Sequence, residues 1–378
     1  MLWYKFCLMK KSLLNSLGML SKVIDLPTPY NISYMWNLGS LLGIVMSIQV
    51  MTGLFLVFYF IPSELEAFDS VINIMREVKF GFFMRFLHLN GASFVFLIMY
   101  CHMYKGLMNN SFMLFFSWLS GNVILLLTIL VAFMGYVLPW GNMGFWAATV
   151  ITSFISAIPF VGEMLLDWIW GGYSVSGRTL QFFFTLHYLM PFGILGLAVI
   201  HMLLLHNTGS SNPLGSHSSM IKVKFFPFFT SKDLLSVMLF MCVLWLLLIY
   251  PYWSSDPENF MYANRLSSPI NIQPEWYFLP FYALLRSSSS KLGGLILMIL
   301  GVFMFWLLPS FIMQDLKKFK LYSFLNVYLL MLALLLGWVA SWGADAYMSC
   351  WLTVLVSCYF LWWFFVWFIS IIVLAIFE

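Results

Sequence analysis

The chain has 378 residues, 62% of them hydrophobic and only 8% charged, with a mean hydropathy of +0.93. A water-soluble core of this size cannot hide that much apolar surface, so the composition excludes a soluble domain and implies a polytopic membrane protein. The formal charge of +4, with no extended Lys/Arg stripe, argues against a nucleic-acid interface, and five cysteines without CxxC or CxxCH spacing argue against a cysteine-ligated metal.

Residues 1–32 carry four lysines and no arginine, and no small-residue cleavage site follows a short apolar core. They read as an interfacial arm kept in the mature chain rather than a targeting peptide. Eight apolar stretches of the length a bilayer requires follow, at about 37–60, 83–106, 114–138, 180–206, 233–253, 293–312, 322–342 and 351–377. The expected fold is an all-α membrane protein of eight transmembrane helices. A first unit, 33–207, holds a four-helix bundle. A second, 208–378, holds the last four spans.

Loop charge sets the orientation. The arm (Lys5, Lys10, Lys11, Lys22), the loop after span four (Lys222, Lys224, Lys232) and the loop after span six (Lys317, Lys318, Lys320) fall on one side of an eight-span chain, the negative (N) side. Glu64, Glu66, Asp69 and Glu77 in the first loop lie on the positive (P) side. Both termini then face N. The long loops 139–179 and 254–292 lie on P, and their apolar pieces predict interfacial helices.

Span two carries His88 and His102, and span four carries His187 and His201, each pair fourteen residues apart. Fourteen residues fall about 40° short of four helical turns and rise about 21 Å, so each pair lies near one face at two depths. Spans two and four are parallel, which levels His88 with His187 near P and His102 with His201 near N. Two opposed imidazole pairs in a flat apolar slot suit two bis-histidine haems. Spans one and three repeat the spacing with Gly39 and Gly53, and Gly121 and Gly135. These glycines are expected to let two macrocycles approach the backbone. A proton-coupled transporter using the histidines as relays is the competing class; it predicts inverted repeats, and the histidines of the spans occupy only the second and fourth.

The stretches IDLPTPYNISYMWNLGSLLG (24–43), GASFVFLIMYCH (91–102), AFMGYVLPWGNMGFWAATVIT (132–152) and PEWYFLPFYALLRS (274–287) resemble cytochrome b, the membrane subunit of ubiquinol–cytochrome c reductase (complex III), in its mitochondrial type. The resemblance implies two non-covalent b-type haems, the low-potential one on His88 and His187 and the high-potential one on His102 and His201. Arg85 would meet a propionate of the first. It implies quinol oxidation on P, at a site lined by Phe133, Tyr136, Ala147, Pro274, Glu275, Tyr277 and Tyr282, with Glu275 accepting a proton. It implies ubiquinone reduction on N among Asn37, Ser40, His206, Ser210, Lys232 and Asp233, with His206 and Asp233 at the two ends of the quinone. One electron would cross the membrane through the haems, adding to the proton gradient. The implied partners are a Rieske iron–sulfur protein, a c-type cytochrome, further complex III subunits, membrane lipid and a second copy of the complex; the implied place is the mitochondrial inner membrane. His217 receives no role.

Three positions depart from the family pattern. Lys105, beside the N-side pair, stands where arginine is usual and keeps the charge without the bidentate fork; Phe182 also stands where arginine is usual, which leaves the P-side propionates short of a cation, with Arg178 the candidate substitute. Ala147 stands where glycine is common, and its methyl narrows the pocket wall. The expected outcome is weak inhibition by methoxyacrylate-type blockers with quinol turnover retained. An inhibitor titration of the purified complex checks this, and potent inhibition contradicts it.

Overall fold

The computed structural model describes residues 24–214, 221–311, 320–343 and 345–377. Lys5, Lys10, Lys11, Lys22, His217, Lys317 and Lys318 lie outside the described residues. The helices are α1 (Leu38–Val57), α2 (Ala67–Arg76), α3 (Gly81–Met108), α4 (Phe115–Val137), α5 (Asn142–Ser153), α6 (Gly162–Trp170), α7 (Gly177–Thr208), α8 (Phe225–Leu247), α9 (Leu279–Arg286), α10 (Lys291–Phe311), α11 (Lys320–Ala340) and α12 (Ala346–Phe377). Eight of them, α1, α3, α4, α7, α8, α10, α11 and α12, are long and apolar enough to cross a membrane. The eight-span, all-α expectation holds.

The fifth span differs from its expected bounds. The sequence places it at 233–253, whereas α8 runs from Phe225 to Leu247. Lys232 and Asp233 therefore sit about two turns inside the helix rather than at its start. A hydropathy window begins after these charges, but an N-side helix end tolerates them within reach of water. Of the arm, residues 27–29 form strand β1, which pairs antiparallel with β2 (Lys222–Lys224), Pro27 opposite Lys224. This small sheet ties the arm to the loop after α7.

The tightest pairings in the first half are α1 along α3 and α4 along α7. The two pairs face each other across the line of histidines. Helix α8 covers this bundle from outside, where Phe240 and Leu244 pack with Val45, Phe94, Ile98 and Leu125. A second core joins α10, α11 and α12 to the N-side ends of α3 and α4 through Leu107, Trp118, Phe305, Tyr322, Leu329, Val356 and Trp362. Buried indole and phenol groups lock it to backbone carbonyls: Trp118 Nε1 to Phe305 O at 2.7 Å, Trp362 Nε1 to Leu325 O at 2.7 Å, and Tyr359 Oη to Gly301 O at 2.6 Å. Such bonds between membrane helices average about 0.6 kcal/mol each, so close packing holds the helices together and these bonds fix their register.

Loop contacts sort the helix ends onto two faces. On one, Trp36 Nε1 donates to Ser211 O, Ser111 bonds Ser211, and Tyr322 Oη donates to Leu107 O. On the other, Glu64 accepts from Gly177 N and pairs with Arg265, while Tyr262 Oη donates to Asp69. Of the described residues, Lys222, Lys224 and Lys232 belong to the first face and Glu64 and Asp69 to the second, in keeping with the expected N and P sides. The long P-side loops hold α5, α6 and α9, as their apolar pieces predict. In the turn from α4 to α5, a Cβ on Gly141 would meet Asn259 O at 2.7 Å, so glycine lets the two P-side loops touch there.

Candidate haem and quinone sites

Antiparallel pairing of α1 with α3 and of α4 with α7 sets histidine against glycine at four positions, two at each depth. A Cβ added to Gly39 would lie 3.4 Å from His102 Cε1, one on Gly53 3.2 Å from His88 Cε1, and one on Gly121 3.1 Å from His201 Cε1. One on Gly135 would collide with His187 Cε1. Each glycine makes room for an imidazole of its partner helix and so backs the ring. The shared spacing of fourteen follows, because two antiparallel helices must present glycine and histidine in the same period to meet twice.

The rings are also tied behind. His88 Nδ1 bonds Thr52 Oγ1 at 3.0 Å, His201 Nδ1 bonds Ser120 Oγ at 2.9 Å, and His187 Nδ1 bonds Val131 O at 2.8 Å. Thr52 gives its own proton to Ile48 O, and Ser120 to Ser117 O, so each hydroxyl accepts from its imidazole. These bonds hold the proton on Nδ1 and leave Nε2 as the free lone pair, the usual arrangement behind a metal-ligating histidine. His102 Nδ1 is the exception, buried without a partner among the described residues. Sequence reasoning missed Thr52 and Ser120. Their signal was present, since each directly precedes one of the spaced glycines, Gly53 and Gly121.

The ring centroids of His88 and His187 are 6.1 Å apart, and those of His102 and His201 6.4 Å. A ligating imidazole nitrogen lies about 2 Å from its metal, so two rings gripping one ion stand roughly 6 Å apart, centroid to centroid. Both pairs fit a bis-histidine haem iron. No group of three or more His, Cys, Asp or Glu side chains suited to a metal occurs among the described residues.

A cavity of about 530 Å³ opens beside the P-side pair. His88, His187, Gly53, Gly135 and Arg85 line it, and so do Tyr136, Glu275, Tyr277, Asp256 and Asn259. Arg85 is half-buried and makes no hydrogen bond or ion pair with the described residues, a placement that suits a haem carboxylate. Phe182 is spent on an aromatic cluster with Trp168 and Phe183. Arg178 does not replace it, because its guanidinium donates to Gly171 O at 3.1 Å and stays outside the cavity wall. The second arginine on that wall is Arg76, at the end of α2, to which sequence reasoning gave no role.

Glu275 is the ionisable group the P-side site is built around. Burial, assisted by nearby Asp256, pushes its carboxyl up to about 7. The phenol of Tyr277 is pushed up by burial and by Glu275. Tyr277 stacks on Phe96 at 4.3 Å, and its carbonyl accepts from Tyr100 Oη at 2.6 Å, which fixes the PEWY turn against α3. Four residues expected at the site are not among those that line this cavity. Phe133 lies edge-on to Phe183, Ala147 is buried in α5, Pro274 precedes the turn, and Tyr282 bonds Ile272 O beneath Arg286.

On N, the fold gathers Asn37, Ser40, Lys232 and Asp233. Ser40 Oγ donates to Asp233 Oδ1 at 2.7 Å, Asn37 Nδ2 donates to Ser236 Oγ at 2.9 Å, and Lys232 Nζ donates to Ile32 O at 3.1 Å between the rings of Tyr34 and Phe229. His206 and Ser210 lie at the far end of α7 and are not bonded to that group. Trp36 bridges the two parts, donating to Ser211 O while the buried Lys105 ammonium sits 4.3 Å over its ring. Trp36 had no place in the sequence reading.

Residues 23–209 match the family model described as Cytochrome b/b6/petB, and residues 262–365 match Cytochrome b(C-terminal)/b6/petD. The chain belongs to the cytochrome b family. Among solved structures, a chain of "Hyperthermophilic respiratory Complex III" is 28% identical to it, with a TM-score of 0.88 over 93% of this chain and 95% of that one. The family binds b-type haem, which agrees with the paired imidazoles.

The glycine contacts separate two substitutions. Gly135→Ala puts a methyl into His187 and should displace the P-side ring, at a packing cost of about 1–3 kcal/mol. Gly39→Ala makes an ordinary contact with His102 and should be tolerated. Haem content per chain of the purified complex, read optically, should fall toward half in Gly135→Ala and stay at the parent level in Gly39→Ala.

Proposed function

We propose that this chain is the cytochrome b subunit of a quinol–cytochrome c reductase. It binds two b-type haems, oxidises ubiquinol on P and reduces ubiquinone on N. The observation that carries the reading is the pair of glycine-backed imidazole couples, each spaced for one iron, in line through the membrane. When bound, the haems supply a one-electron path across the bilayer. The residues around them hold that path: His88 and His187 on P, His102 and His201 on N, with Thr52, Ser120 and Val131 O fixing the rings, and Arg85 and Lys105 supplying positive charge for propionates.

Quinol oxidation releases protons as well as electrons, so its site needs a buried acceptor with a path to water. Glu275 fits that role. Its carboxyl is half ionised near neutrality, it lines the cavity beside the P-side imidazoles, and Asp256 lies on the same wall. Tyr136 and Tyr277 complete the wall and orient the ring. On N, Asp233, held by Ser40, and His206 donate protons to the two ends of a quinone, with Asn37, Lys232 and Ser210 around them.

The chain has no cysteine motif for an iron–sulfur cluster or a c-type haem, so it works with a Rieske protein, a c-type cytochrome subunit and other complex III subunits, as a dimer of the complex. The likeness to a respiratory Complex III chain supports the assembly. The resemblance to the mitochondrial type supports the mitochondrial inner membrane.

A redox-titrated difference spectrum of the complex tests the reading. Two b-type components with separate midpoints are expected, one lost in His88→Ala and the other in His102→Ala. Absence of haem overturns it and favours a transporter.

Glu275 gives a pH test. As a base it must be ionised, so quinol oxidation should rise with pH through an inflection near 7. In Glu275→Gln the rate should drop by about 10²-fold or more and the inflection should vanish. An unchanged profile removes Glu275 from the mechanism.

A further inference from the structure

A second cavity, of about 560 Å³, shares no lining residue with the haem and quinone sites. It is a groove on the outer face of the C-terminal half, lined by Ser287, Leu297, Thr353, Ser357, Leu361 and Phe364 among others. Nothing in the proposed electron-transfer chemistry uses it. Its composition is graded. At its mouth on the P side are Ser287, Thr353 and Ser357, with Thr353 Oγ1 3.3 Å from Ser287 O. Deeper along α12 it becomes apolar, ending at Leu361 and Phe364, which are about half exposed.

The mouth adjoins a run of four serines, Ser287 to Ser290, between two cations. Lys291 is exposed at the start of α10. Arg286 donates to Ala340 O and Trp342 O, is stacked over Tyr282, and keeps its Nη2 without a partner among the described residues. Neither forms an ion pair among the described residues. Asp345, the acid of the loop between α11 and α12, spends its carboxylate on the N–H of Met348. The rim therefore carries an exposed lysine without an ion pair among the described residues, directly above an apolar slot.

Length decides what fits. From Thr353 to Phe364 the helix rises about 16 Å, close to half of a hydrocarbon core of about 30 Å. A partner helix, about 10 Å across, would leave contacts along the whole of α12. A groove one leaflet deep, polar at the surface and apolar below, matches one acyl chain of a lipid in the P leaflet.

We propose that this groove is a binding site for a phospholipid, with one acyl chain between α10 and α12 and an anionic headgroup over Ser288–Lys291. The lipid holds the serine loop, and through Arg286 the end of α11, in place at the P surface.

The test uses the whole complex. The complex is washed in detergent and then exchanged into nanodiscs of phosphatidylcholine, alone or mixed with phosphatidylglycerol. Retained lipid is counted by native mass spectrometry. The parent complex should keep one more phosphatidylglycerol per copy of this chain than Ser357→Phe, which fills the groove. Lys291→Gln should weaken phosphatidylglycerol retention about fivefold, the effect of one surface cation on an anionic lipid, and leave phosphatidylcholine retention unchanged. A photo-crosslinking residue at Leu361 should give an adduct of lipid mass. Equal lipid counts in parent and Ser357→Phe overturn the site. A polypeptide adduct at Leu361 overturns the lipid and assigns the groove to another subunit.

Discussion

The structure depends on one constraint: two pairs of imidazoles must face each other about 6 Å apart inside an apolar bundle, each ring backed by a glycine. Imidazole is a poor membrane residue, and it stays only where it has partners on both sides. Here one side is a glycine surface that admits the ring and, at three of four positions, a hydroxyl or carbonyl that takes the Nδ1 proton. The other side is the partner imidazole across the slot. The pairing of α1 with α3 and of α4 with α7 is the packing that supplies both.

That arrangement sets where the remaining chemistry can be. The pairs lie at two depths because fourteen residues carry a helix about 21 Å, most of the way through the hydrocarbon. A site on each face is then next to one pair. On P, three separate loops meet, and the turn bearing Glu275 is pinned to α3 through Tyr277 and Tyr100. On N, the start of α1 is bonded to α8 through Ser40 and Asp233. The chain thus places an acidic group of raised pKa beside one pair and a hydroxyl–carboxylate couple near the other, which suits proton release on one face and uptake on the other.

The departures from the family pattern read differently in three dimensions. Phe182 joins an aromatic cluster instead of supplying charge, and Arg178 turns to a backbone carbonyl, so the cations left to the P-side cavity are Arg85 and Arg76. Lys105 keeps its charge but rests on the face of Trp36, where a compact ammonium gains a cation–π contact. Ala147 is buried in α5 and is not among the residues that line the P-side cavity.

Sequence alone determined the membrane class, the eight spans, their alternation and the four histidines, because hydropathy, loop charge and a repeated spacing are local or periodic properties. It placed the interfacial helices of the P-side loops for the same reason. It did not determine what the glycines face, since a period of fourteen on neighbouring helices is satisfied by either a cofactor or a side chain; only the antiparallel packing decided that each meets an imidazole. Thr52 and Ser120 were visible as residues beside those glycines, but their role exists only once the rings are placed against them. The start of α8 ran past its charges because helix ends are set by water access as much as by apolar count. Arg76, Trp36 and the graded groove of α12 come from distant stretches of chain, and tertiary contact alone brought them to their sites.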